Sequence, residues 1–135
     1  MPYDQNITVT EIKRLLQYLE FFEGPADTFY QEVNGWRCET DQVLAFRKAL
    51  GDTGFLMVFD WGAWIREHEV FRELDRDIGE YIKNADLETL RKLVTSYLRG
   101  DRFNEGLFLT IVINGNMKQI LWRLRQLMEE TSEEK

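Results

Sequence analysis

Cysteine and histidine are almost missing from this chain, which carries one of each, Cys38 and His68. A lone thiol has no intramolecular disulfide partner. Neither residue has the companions that a zinc or other transition-metal site requires, so no metal and no cofactor is expected. A charged-then-apolar leader is missing too, and the longest apolar run, Leu107 to Ile113, is broken by Thr110 and far too short to cross a bilayer. The expectation is a soluble cytoplasmic protein in a reducing compartment, without membrane contact. No internal repeat and no linker rich in Pro, Gly or Ser divides the chain, and no Ser or Cys stands in a nucleophile motif.

What is present suffices for one packed domain. Of 135 residues, 44% are apolar and 13% aromatic, enough to build a core without a staple, so residues 1–135 are read as a single domain. The net charge of −7 opposes the phosphate backbone, and nucleic acid is not expected as a partner. The charge is uneven. Between Asp86 and Leu127, seven Lys/Arg face four acids, a local +3 that leaves −10 elsewhere, and this basic stretch is either a solvated helical face or a shallow anion site.

Helical signals dominate. Thr8 to Glu11 fits a capping box with Ile7 and Ile12 as its hydrophobic staple, and Ile12, Leu15, Leu16, Leu19 and Phe22 continue one stripe until Gly24-Pro25. Residues 26–39 lack a period and hold an Asn34-Gly35 turn signal, so they are read as a loop with at most a short helix or strand. A second helix runs from a Thr40 cap to Gly51. "GFLMVFDW", Gly54 to Trp61, has no second run to pair with and reads as a buried loop or helix start. Asp60 caps a third helix reaching roughly Phe71, a short fourth covers Ile78 to Lys83, and Asp86 opens the clearest helix, closed by Gly100. A short apolar helix at Leu107 to Ile113, an Asn114-Gly115-Asn116 break and a final amphipathic helix follow, with 125–135 as a frayed acidic tail. The fold class is all-α: a compact bundle-like domain of five to seven helices, with Leu90, Leu93, Val94, Leu109, Val112, Leu121 and Leu124 buried.

Several residues carry a pattern. Asp86, Leu87, Thr89, Leu90 and Lys92 on one helix are followed by the turn Arg102, Phe103, Glu105 and Gly106, then Gly115, then Leu121, Arg123 and Leu124, with "FDWGAW" upstream. This half of the chain resembles a prokaryotic and phage-borne family of domains of unknown function, number 6508. The resemblance implies a compact helical domain and brings no activity. Where members of that family carry His after the turn glycine, this chain has Leu107.

Two constellations invite a chemical reading. Arg99, Arg102 and Glu105 surround a turn, "RGDRFNEGLF", in which an arginine fork and the amides of a following helix can seat an anion. The alternative is a helix connection, with Arg102 paired to carbonyls or a carboxylate, Asn104 capping and Phe103 in the core. Asp60, Trp64 and His68 share a helical face as a general base and its orienting acid would. Asp60 as an N-cap and Trp64 as core explain the same spacing. The acidic run from Glu67 to Glu80 is neutralised by Arg66, Arg72 and Arg76 and lacks the ligand spacing of a calcium loop. The apolar helix after Gly106 belongs in the core or at a dimer face.

No catalytic residue is assigned, and enzymatic activity is not favoured. The expectation is a protein-interaction or regulatory module with a protein partner, a second copy of the chain being one possibility. The alternative is a small ligand-binding or enzymatic domain with an anion pocket formed by Asp60, Trp61, Trp64, Arg99, Arg102 and Glu105.

Overall fold

A computed structural model describes residues 7–68, 78–103 and 106–133. In chain order these form α1 (Val9–Leu16), α2 (Leu19–Phe22), a 3-10 turn (Ala26–Thr28), β1 (Tyr30–Val33), β2 (Trp36–Glu39), α3 (Asp41–Asp52), α4 (Trp61–Glu67), α5 (Gly79–Lys83), α6 (Leu87–Gly100), α7 (Leu107–Ile113) and α8 (Asn116–Glu133). The domain is mostly helical, as expected from its periodicity. The continuation of the third helix to Phe71, the acids Glu69, Glu73, Asp75 and Asp77 with Arg72 and Arg76, and the cap assigned to Asn104 lie outside the described residues.

The start of the chain follows its sequence signals closely. Thr8 accepts the Glu11 N–H while Glu11 reaches back to the Thr8 N–H, the reciprocal pair that satisfies two orphan donors of a helix start. The single helix expected over this stretch is instead two, broken at Gln17 and Tyr18. The break turns Phe22 toward Phe46 and Phe29, at ring-centroid distances of 4.9 and 5.7 Å, and Tyr18 edge-on to Phe46 at 5.3 Å.

Residues 30–39 form a two-stranded antiparallel hairpin, pairing Tyr30 with Glu39 and Val33 with Trp36. Asn34 (φ 54°) and Gly35 (φ 84°) both take the left-handed region that a tight primed turn needs. The hairpin stands out from the helices, with Trp36 69% exposed and Cys38 exposed.

At α3 the expected cap differs. Thr40 precedes the helix, but its hydroxyl donates to the Thr28 carbonyl at 2.9 Å and ties the hairpin base together. The helix also passes Gly51 and stops before Gly54, whose φ of +76° supplies the left-handed turn.

The apolar run after Gly54 is an irregular loop because α6 satisfies its backbone. Arg91 donates from Nε to the Phe55 carbonyl and from Nη2 to the Gly54 carbonyl, both at 2.9 Å, and Thr95 Oγ1 accepts the Met57 N–H at 3.0 Å. These bonds replace the strand partner that the run lacks.

The core is continuous. α1 and α2 pack on α8, α4 on α6, α5 on α8, and α7 between α6 and α8. All seven positions expected to be buried are buried, and Phe108, Leu109, Ile111 and Val112 place α7 inside the domain rather than at a dimer face. Trp122 Nε1 donates to Glu23 at 2.8 Å, linking the last helix to the turn after α2. Among the described residues no helix is long and apolar enough to cross a membrane.

Candidate functional site

The quoted turn is where sequence and structure part most clearly. Phe103, assigned to the core by its size, is 79% exposed and stacks on Trp61, with ring centroids 6.1 Å apart and 28° between planes. The backbone explains this. After α6 the chain tightens, with the Arg102 N–H on the Arg99 carbonyl and the Phe103 N–H on the Gly100 carbonyl, and that extra turn carries residue 103 outward. Gly100 is buried beneath it. A Cβ there would lie 3.0 Å from Leu107 Cδ2 and 3.8 Å from the Trp61 ring, so glycine sets how closely α4, α6 and α7 meet.

Arg102 was expected to bond a carboxylate or backbone carbonyls. It is exposed, as is Arg99, and neither guanidinium makes a hydrogen bond or ion pair with a described residue. The structural work of the turn falls to Asp101. Its Oδ1 accepts the Phe108 N–H at 3.0 Å, filling the cap position that Gly106 cannot, and its Oδ2 accepts from Arg47 Nη2 at 3.1 Å. Arg47 is in turn held by both carboxylate oxygens of Glu39 and lies over the Phe108 ring, 4.6 Å from its centroid. Burial pulls the Arg47 pKa down, but the bonds and charges of Glu39 and then Asp101 outweigh it and leave it above its ordinary value. The arginine fork of this region is therefore Arg47, which joins β2, α3 and the end of α6.

Asp60 caps α4, accepting the Ala63 N–H at 3.0 Å. Trp64 stacks on His68 at 4.3 Å, and His68 Nδ1 lies 2.7 Å from the Trp64 carbonyl. This geometry assigns Asp60 to helix capping rather than to orienting the imidazole as a base. Phe59 packs edge-on to Trp64 at 6.2 Å with Lys92 over its ring at 5.5 Å. The fold thus brings Trp61 to the Arg99–Phe103 turn, with Asp60 and Trp64 on the same short helix; Glu105 lies outside the described residues.

Sequence reasoning missed Arg91, Arg47 and Asp101. Arg91 carried a readable signal, since it shares a helical stripe with Leu87, Leu90 and Val94, where an arginine is buried only if its donors are used. Arg47 and Asp101 carried none, because they lie 54 residues apart.

Clefts lie elsewhere. One of about 630 Å³ sits beside the hairpin base, lined by Phe21, Pro25, Thr40 and Asp41. Another of about 460 Å³ lies along α5 and the start of α6. A third of about 340 Å³ lies between α5 and α8, lined by Lys83, Gln119, Trp122, Arg123, Arg125 and Glu129. Trp61, Trp64, Arg99 and Arg102 line none of these three. Among the described residues no group of three His, Cys, Asp or Glu side chains is placed to hold a metal ion.

Comparison with curated proteins and with solved structures found no match to this chain. Comparison with protein families did, over the capped first helix, the tryptophan segment, the Asp86 helix, the turn and the last helix alike. Residues 7–130 match the family described as "Family of unknown function (DUF6508)", and the chain belongs to that family.

Proposed function

We propose that this domain is a protein-interaction module and that the Trp61–Phe103 stack, with Arg99 and Arg102 beside it, docks an acidic segment of a protein partner. One observation carries the reading: Phe103 is 79% exposed yet held in place by a second aromatic ring. An aromatic ordered before binding loses less side-chain entropy on contact, and aromatics with arginine dominate binding energy at protein interfaces. Two exposed guanidiniums that pair with no described residue favour carboxylates, through paired charge-assisted hydrogen bonds. Arg99 and Arg102 also lie in the stretch 86–127, which is net basic in a chain that is otherwise acidic, and this favours an acidic partner.

The test is fluorescence anisotropy with short synthetic peptides that place carboxylates around one aromatic residue. Binding is expected, and Phe103→Ala and Arg102→Ala should each weaken it by roughly tenfold or more without lowering the melting temperature. Absence of binding, or binding that neither substitution alters, overturns the proposal. So does a sedimentation result in which the unaltered protein is a dimer and Phe103→Ala a monomer, since a second copy would then be the occupant.

A further inference from the structure

The cleft between α5 and α8 gathers side chains that the docking face does not use. Lys83 comes from α5; Arg123, Arg125, Trp122, Gln119 and Glu129 come from α8. Three cations and one carboxylate leave about +2 in a chain of net charge −7. The Lys83 contact with Glu80, at 3.6 Å between two well-exposed side chains, is too solvated to tie the ammonium down.

Arg123 is set before any ligand arrives. Its Nε donates to the Ala85 carbonyl and its Nη1 to Gln126 Oε1, each at 2.8 Å, which fixes the guanidinium plane. A guanidinium has five N–H donors, so about three remain for an anion. Trp122 is ordered as well: its Nε1 donates to Glu23 at 2.8 Å and Lys118 lies over its ring at 5.2 Å. A fixed indole along a basic cleft is a stacking surface for a planar ring, because every such ring presents a π-face.

We infer that this cleft binds a small phosphate-bearing ligand with a planar ring, the chemistry of a mononucleotide. A phosphomonoester carries a charge close to −2 at neutral pH, which matches the lining. The planar fork of Arg123 suits two phosphate oxygens. Gln119 and Glu129 supply acceptors for the hydroxyl or amino groups of the remainder. A volume of about 340 Å³ falls at the small end of ligand pockets, which suits one nucleotide and not a polymer. The net charge of the chain opposes a polymer as well.

Titration by two-dimensional NMR tests this, with AMP, UMP, ribose 5-phosphate, inorganic phosphate and adenosine as probes and the Trp122 indole and Arg123 Nε–H signals as readouts. AMP and UMP should saturate at about 1 mM or below, more tightly than ribose 5-phosphate or phosphate, with adenosine weakest. Arg123→Gln removes the bond to Ala85 and so perturbs the fold. The deciding variants are Lys83→Gln and Arg125→Gln on the cleft rim, each expected to weaken AMP by roughly three- to tenfold while the melting temperature holds. The inference fails if no nucleotide saturates, if both variants bind AMP as the parent does, or if inorganic phosphate matches AMP.

Discussion

Asp101 caps the helix that begins after it, accepting at 3.0 Å the backbone N–H of Phe108, seven positions further along the chain. Its other oxygen is paired with Arg47, so a single carboxylate fixes both the start of α7 and its link to α3. Asp101→Ala removes both and should destabilise the domain by about 2–3 kcal/mol in urea unfolding. Asp101→Asn keeps an acceptor for Phe108 and should lose about half as much. Equal losses would show that the charge pair, not the cap, dominates.

Arg91 is 5% exposed and its guanidinium closes the loop after Gly54. Arg91→Met fills similar space but leaves the Gly54 and Phe55 carbonyls without these donors, and a loss of about 2–4 kcal/mol is expected. Arg91→Lys should recover only part of it, because one ammonium cannot match the fork. Chemical denaturation of the three proteins under one buffer checks the order.

At the turn the expectation reverses what size alone suggests. Phe103→Ala should shift stability by less than about 1 kcal/mol, the scale of an exposed aromatic contact, and Arg102→Ala by no more than about 0.5 kcal/mol. A loss above about 3 kcal/mol for Phe103→Ala, as for a buried aromatic, would mean that the ring is covered in solution.

Asp86 accepts the Thr89 N–H at 2.8 Å at the head of α6, and its bonds to Thr89 hold its carboxyl below the ordinary value of 3.8. A lowered pKa in the folded state stabilises the fold above about pH 4 and ceases to do so as the pH falls through the folded value. Asp86→Ala should therefore cost about 1 kcal/mol at neutral pH, and the difference from the parent should shrink below pH 4. A difference that stays constant down to pH 2 would remove the carboxylate from the argument.

Much of this fold was legible because its signals are local. The Thr8 box, the Asp60 and Asp86 caps and the stripes of α6, α7 and α8 depend on residues within one or two turns of each other. The hairpin showed only its Asn34-Gly35 turn, since most of its strand residues are exposed and leave no alternation to read. For the candidate site, the sequence located the turn and Trp61, and the structure joined them. The inward role given to Phe103 failed because the backbone after Gly100, not side-chain size, sets its direction.

The packing of α1 and α2 against α8 has a consequence for synthesis. As the chain leaves the ribosome, the apolar faces of Val9–Leu16 and Leu19–Phe22 emerge roughly a hundred residues before the helix that covers them. Until Asn116–Glu133 is made, Leu15, Leu19 and Phe22 have only a partial core to enter, which is the period when a nascent chain is most exposed to chaperones and aggregation. The order of synthesis thus leaves the closing of this core to the residues made last, Met117, Ile120, Leu121 and Leu124 among them.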